Sequence, residues 1–107
     1  MKRIAARLIV WATSLLVAGA GQAQDLANGE RVATEMCVAC HDVGADGAFK
    51  QYPPSFAAIA VYRSPEQILG RIIYPPQHGR MPQMGLVLDR DTIDDVVAYI
   101  MSLEQPR

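Results

Sequence analysis

The chain has 107 residues, half of them hydrophobic, with ten basic and eleven acidic residues and a formal net charge of −1. This length corresponds to one domain with little room for a large, self-sufficient apolar core. The absence of a basic excess argues against a nucleic-acid-binding protein.

The N-terminal residues predict an export signal. Lys2, Arg3 and Arg7 come first, the apolar run LIVWATSLLVAGA covers residues 8–20, and the small-residue stretch GAGQAQ follows. A charged start, an apolar core and small residues before a cleavage site describe a secretory signal peptide. The apolar core is shorter than the roughly 20 residues that a membrane-spanning helix needs.

We expect cleavage after Ala23, with Ala20 as the second choice. Residues 1–23 are then the signal peptide, and residues 24–107 form one exported domain that we expect in the periplasm. The signal peptide removes three basic residues, so this domain keeps seven basic against eleven acidic residues, a formal charge of −4. An acidic surface favours partners with positively charged docking surfaces.

The exported domain is predicted to contain three helices, and nothing between them alternates well enough to be a strand. The first helix runs from about Asn28, as its N-cap, to Cys40. The second begins in SPEQILGRII, where Ser64, Pro65 and Gln67 give consistent start signals. A shorter helical turn is expected before it, in SFAAIAVY.

The third helix is the clearest, because Asp89 can cap it and apolar residues then recur on one face. These residues are Ile93, Val96, Val97, Ile100 and Met101. An all-helical domain of this size with proline-rich loops, YPPSF and YPPQHGRMPQM, is loop-heavy for a self-sufficient bundle. A large buried cofactor would explain how a domain with so few helical residues can form a stable core.

The segment EMCVACHDV contains both cysteines, Cys37 and Cys40, with His41 directly after the second. A disulfide between them would close a tiny loop and stabilise little. A thioredoxin-like pair needs a preceding strand, and a structural zinc site needs four ligands, for which only His78 remains. Cys-x-x-Cys-His therefore indicates attachment of haem c, with thioether bonds to both cysteines and iron bound by the histidine.

The group at the sixth iron position distinguishes a carrier from a catalyst. Three candidates lie in the loop YPPQHGRMPQMG, namely His78, Met81 and Met84. A thioether there favours electron transfer, whereas a vacant position invites small ligands and peroxide chemistry. Each candidate also has an ordinary structural explanation, since methionines often fill gaps in a core and a lone histidine is usually on the surface.

Taken together, these segments resemble the class I cytochromes c, and specifically the short bacterial monohaem proteins. The resemblance covers essentially the whole exported domain, through CVACH, the PPSF element with Pro54, the pair Met81–Pro82 and the tail IDDVVAYI. It implies an all-α cytochrome c fold, in which three to four short helices and proline-rich loops surround one covalently attached haem. It also implies Met81 as the iron ligand opposite His41, and a hydrogen bond from the His41 ring to the Pro54 carbonyl oxygen.

The resemblance implies one further contact. Gly29 and Tyr99 occupy the positions at which the family packs its first helix closely against its last. Apart from the resemblance, three arginines are candidates for contacts with the haem propionates, as an alternative to solvated surface charge: Arg63, Arg71 and Arg80. Among them we favour Arg80, because it adjoins Met81.

The function implied by the resemblance is one-electron transfer in the periplasm, by a haem iron that keeps His41 and Met81 as ligands in both oxidation states. We expect no enzymatic activity, no nucleic acid and no membrane span in the exported domain. The expected partners are a dehydrogenase, an oxidase or another cytochrome. Two other functions remain open: a haem c subunit permanently bound to a periplasmic dehydrogenase or oxidase, and a ligand-binding or peroxidatic haem protein.

Overall fold

The fold is described from a computed structural model, and the description covers residues 23–49, 52–77 and 79–104. The predicted signal peptide, up to residue 22, and His78 lie outside the described residues. Within those residues the chain is all-helical and contains no strand, which confirms the expected fold class. The helices are α1 (Leu26–Val32), α2 (Phe56–Tyr62), α3 (Pro65–Ile73) and α4 (Arg90–Ser102).

Helix α1 begins earlier than predicted, because Asp25 rather than Asn28 is its N-cap. The Asp25 side chain accepts a hydrogen bond from the Asn28 backbone N–H at 3.0 Å. Asn28 lies in the first turn, and its side-chain amide instead donates to Asp95 on α4 at 2.9 Å. Both residue types are good caps, so a contact with a distant helix decided between them.

The first helix also ends differently from the prediction. After Val32 the chain continues as a π-helical turn, Ala33–Cys37, in which the backbone N–H of Val38 donates to the Ala33 carbonyl at 3.1 Å. The wider turn rotates the following side chains out of the α-helical register. The predicted helix to Cys40 is therefore wrong, since the α-helix ends at Val32 and the π-helical turn ends at Cys37. Met36, at 43% exposure, and Cys40 are both exposed.

Helices α2 and α3 follow their capping signals. Ser55 is fully buried and accepts a hydrogen bond from the Ala58 backbone N–H at 3.1 Å, which starts α2. Ser64 and Gln67 form the predicted capping box at the start of α3, with Pro65 in its first turn. Since these signals are local, they could be predicted without knowledge of the tertiary structure.

Helix α4 lies at the centre of the core. Asp89 caps it, as predicted, by accepting a hydrogen bond from the Thr92 N–H at 2.8 Å. Its apolar face contacts each of the other three helices. The buried members of this face are Ile93, Val96, Val97, Tyr99 and Ile100. None of the helices in the described ranges is long and apolar enough to cross a membrane.

A candidate haem c site

After the π-helical turn, the Cys-x-x-Cys-His motif forms a tight turn that is closed by hydrogen bonds to one carbonyl group. The backbone N–H groups of Cys40 and His41 both donate to the Cys37 carbonyl oxygen, at 3.2 and 2.9 Å. Cys37 is half-buried, Cys40 is exposed, and both are free thiols. Burial raises the pKa of the Cys37 thiol above its ordinary value, so this sulfur stays protonated at neutral pH and is a poor partner for disulfide exchange.

The half-buried His41 ring makes the expected hydrogen bond. Its Nδ1 atom lies 2.6 Å from the Pro54 carbonyl oxygen. Because a carbonyl oxygen can only accept, Nδ1 carries a proton, and in the neutral imidazole the lone pair is then on Nε2. A histidine that donates one ring nitrogen to a carbonyl and keeps the other for a metal is the usual arrangement of an oriented metal ligand.

The segment that follows Pro54 is packed directly onto the His41 segment. The backbone N–H of Phe56 donates to the Asp42 carbonyl at 2.9 Å, and the Phe56 ring centroid lies 5.4 Å from that of His41. Gly47 lies against both segments, since a Cβ atom there would lie 2.9 Å from the Ser55 Cβ and 3.0 Å from the Asp42 Cβ. Phe56 has no role that could be predicted from the sequence, where its place two residues after Pro54 is the only available signal.

The two candidate methionines have different environments. Met84 is buried at 7% exposure in the core, at the start of the 3-10 turn Met84–Leu86, which the sequence did not predict. Its carbonyl oxygen also accepts the backbone N–H groups of Val87 and Leu88. Met81 is half-buried and packs against the core from outside it. Met84 therefore acts as a core residue, while Met81 has a thioether at the core boundary.

Two of the three candidate arginines lie together on one side of α3. An open pocket of about 300 Å³ is lined by Arg63, Arg71 and Tyr74, with Gln67 and Gly70. Among the described residues, neither arginine forms an ion pair. Arg80 is exposed and does not line this pocket.

The residues present fit a haem c group. The motif supplies two free thiols and a histidine whose Nδ1 is hydrogen-bonded to Pro54, which leaves Nε2 for a metal. A half-buried thioether, Met81, supplies a sulfur donor, and the arginine pocket suits carboxylates such as the propionates. Sulfur and imidazole ligands are those that cytochrome haem iron uses.

Comparisons with known proteins agree with this chemistry. Residues 24–100 match the family described as cytochrome c oxidase, cbb3-type, subunit III. The chain is also similar to the cbb3-type cytochrome c oxidase subunit FixP of Bradyrhizobium diazoefficiens, with 36% identity over 80 residues. That match covers 74% of this chain but 28% of FixP, so the chain spans less than a third of that relative. No solved structure matches significantly.

Proposed function

The chain belongs to the family of cbb3-type cytochrome c oxidase subunit III and contains covalently attached haem c, and from this premise we propose that it transfers single electrons through an iron ligated by His41 and Met81. The cofactor supplies one-electron chemistry, because its iron alternates between the ferrous and ferric states. The observation that carries the proposal is the hydrogen bond between His41 Nδ1 and the Pro54 carbonyl oxygen. It orients the imidazole and keeps it in the tautomer that binds iron through Nε2.

Each residue of the site has a defined part in this function. Cys37 and Cys40 would hold the cofactor by thioether bonds, so that it would not be lost by dilution outside the cytoplasm. Met81 would bind the iron through its thioether sulfur, which would favour the ferrous state and raise the reduction potential relative to a bis-histidine site. Met84 packs in the core instead, because its side chain is already buried among apolar neighbours.

The function is tested by a potentiometric titration of the purified, haem-containing protein. A carrier is expected to give one reversible transition with the slope of a one-electron couple, and the same optical spectrum after repeated cycles. The proposal also holds that the domain is not an enzyme, because Met81 occupies the position that a substrate would need. Slow or absent binding of carbon monoxide by the ferrous protein is the expected result, and rapid binding would contradict the proposed ligation.

We also place this function in the periplasm. The support is the N-terminal pattern of basic, apolar and small residues together with a haem-attachment motif in the following domain. N-terminal sequencing of the protein expressed from the full chain tests the assignment. The first residue is expected to be Gln24, and an intact N-terminus in a protein that carries haem would contradict it.

A second candidate function is that of a haem c subunit bound permanently to an oxidase, and the similarity to FixP favours it. The residues that bind haem would be the same, but the domain would stay docked rather than diffuse between partners. Size-exclusion chromatography of the protein purified from its native membranes and periplasm distinguishes the two functions. A stable complex with other subunits supports the bound form, and a monomer in the periplasmic fraction supports the free carrier.

A further inference from the structure

The aromatic contacts of His41 extend in a continuous line to α4. The Phe56 ring lies beside the imidazole, with centroids 5.4 Å apart and planes tilted by 48°. The Tyr99 ring packs against the same Phe56 ring in an edge-to-face arrangement, with centroids 6.4 Å apart and planes at 61°. Phe56 is 4% exposed and Tyr99 is 8% exposed, so both rings are held inside the core.

The hydrogen bond to Pro54 does not by itself fix the plane of the imidazole. Carbonyl oxygens accept hydrogen bonds over a broad range of directions, and the terminal side-chain torsion of histidine has broad energy wells. The ring could therefore rock while Nδ1 kept its acceptor. A neighbouring ring in a close-packed core limits that rocking, because any large rotation would collide with it.

We propose that Phe56 is a positioning residue that sets the plane of the His41 imidazole, and that Tyr99 acts through Phe56 by holding its ring in place. Two observations support this role. Phe56 is tied to the motif by its backbone, since its N–H donates to the Asp42 carbonyl at 2.9 Å. Tyr99 is tied to the same loop, since its hydroxyl donates to the Val43 carbonyl at 2.7 Å. Both aromatic residues are therefore bonded to the segment that directly follows His41.

This inference rests on the proposed function, because it concerns His41 as an iron ligand. The orientation of an axial imidazole relative to the porphyrin nitrogens splits the d orbitals of ferric iron. That splitting appears as the spread of the g values in the electron paramagnetic resonance (EPR) spectrum of the low-spin ferric protein. The spread thus reports on ring orientation, which a general loss of stability does not change.

The test compares three variants of the haem-containing protein. Phe56→Leu removes the ring beside His41, and Tyr99→Leu removes the ring behind Phe56. Tyr99→Phe is the matched control, because it keeps the ring and removes only the hydroxyl group that binds Val43. All four proteins are examined by EPR and by thermal unfolding.

We expect Phe56→Leu to shift and broaden the largest g value, and Tyr99→Leu to change it in the same sense by a smaller amount. Tyr99→Phe is expected to lower the unfolding midpoint while leaving the g values of the parent. If Phe56→Leu does not assemble with haem, Tyr99→Leu tests the same aromatic contact one ring further out. The inference would be overturned if every leucine variant that assembles with haem kept the g values of the parent and only its unfolding midpoint were lowered.

Failure of the proposed function would look different. If Met81 did not bind the iron, the optical spectrum of the parent protein would already show it before any substitution at Phe56. His41 would still be the ligand in that case, and the effect of Phe56→Leu on its orientation could still be measured from the ring-proton resonances of His41.

Discussion

Gly29 and Tyr99 meet where α1 crosses α4, and a Cβ atom built on Gly29 would lie 2.9 Å from the Tyr99 Cβ. The same atom would also collide with the backbone carbonyl group of Asp95. Only a glycine allows the two helices to approach this closely. The crossing holds Tyr99 over the loop that carries the haem motif, since the Tyr99 hydroxyl binds the Val43 carbonyl oxygen.

Substitution of Gly29 by alanine is therefore expected to be strongly destabilising. Because the obstruction is backbone rather than a flexible side chain, we expect Gly29→Ala to lower the free energy of unfolding by about 3 kcal/mol. Denaturant unfolding of the haem-containing protein measures the change. Gly70 on α3 is the matched control, because a Cβ there would meet nothing within 4 Å. Gly70→Ala should stabilise the protein by about 0.5–1 kcal/mol, and equal effects of the two substitutions would contradict this explanation.

Asp95 connects the start of α1 to α4 through both of its carboxylate oxygens. Oδ1 accepts the Asp25 backbone N–H at 2.7 Å, and Oδ2 accepts the Asn28 side-chain amide at 2.9 Å. Asp95→Ala removes both bonds, and we expect it to lower the free energy of unfolding by about 1–2 kcal/mol. This value is at the lower end for hydrogen bonds to a charged group, because the contacts are partly solvated.

The neighbouring Asp94 is the control for Asp95. It forms an exposed pair with Arg90, one turn away on the same helix, at 2.9 Å. Asp94→Ala should cost less than about 0.5 kcal/mol, as is usual for such pairs. If Asp94→Ala destabilised the protein as much as Asp95→Ala, the tertiary bonds of Asp95 would not be its main contribution.

The cap of α4 makes stability depend on pH in the acid range. The hydrogen bonds from Thr92 to the Asp89 carboxylate hold the pKa of that group below its ordinary value of 3.8. A depressed pKa means that the contribution of the carboxylate is complete above its unfolded-state pKa and is lost as pH falls through the lower, folded-state value. Asn also caps helices but does not ionise.

We therefore expect the stability difference between the parent and Asp89→Asn to be largest near neutral pH and to shrink below about pH 4. Thermal unfolding of both proteins over this range gives the difference directly. A difference that stayed constant from neutral to acid pH would show that the charge of Asp89 has no role in the cap.

Covalent attachment of haem depends on the only two cysteines of the chain. We expect haem to remain with the parent polypeptide in denaturing electrophoresis with reductant, because thioether bonds are not reduced. Replacing both Cys37 and Cys40 by serine should abolish this retention, while each single replacement should leave one bond. Retention of haem in the double variant would contradict attachment at the motif.

Much of the fold could be predicted because its signals are local. The capping box at Ser64 and Gln67 and the cap at Asp89 each involve residues three apart in sequence, and the structure contains all of them. The C-x-x-C-H motif is equally local, so the cofactor could be predicted from it. The start of α1 could not, because the choice between Asp25 and Asn28 depends on Asp95, far along the chain.

The parts of the site that could not be predicted are those that depend on distant contacts. The π-helical turn ends at Cys37, the first residue of the motif. Cys40 therefore does not lie on the helix face that it would occupy if the α-helix continued. The contact between His41 and Phe56 requires the loop between them to fold back. The different burial of Met81 and Met84 likewise depends on tertiary packing, because the turn that begins at Met84 contacts α3.

The most direct test of the central claim is the optical spectrum of the ferric protein, compared among the parent, Met81→Leu and Met84→Leu. Leucine nearly conserves the volume of methionine, so the core is kept while the sulfur is removed. Ligation by Met81 predicts a weak sulfur-to-iron charge-transfer band at the red end of the visible spectrum, present in the parent and in Met84→Leu and absent from Met81→Leu. A band that survived Met81→Leu, or that was absent from the parent, would contradict the proposed ligation and with it the account of a six-coordinate electron carrier.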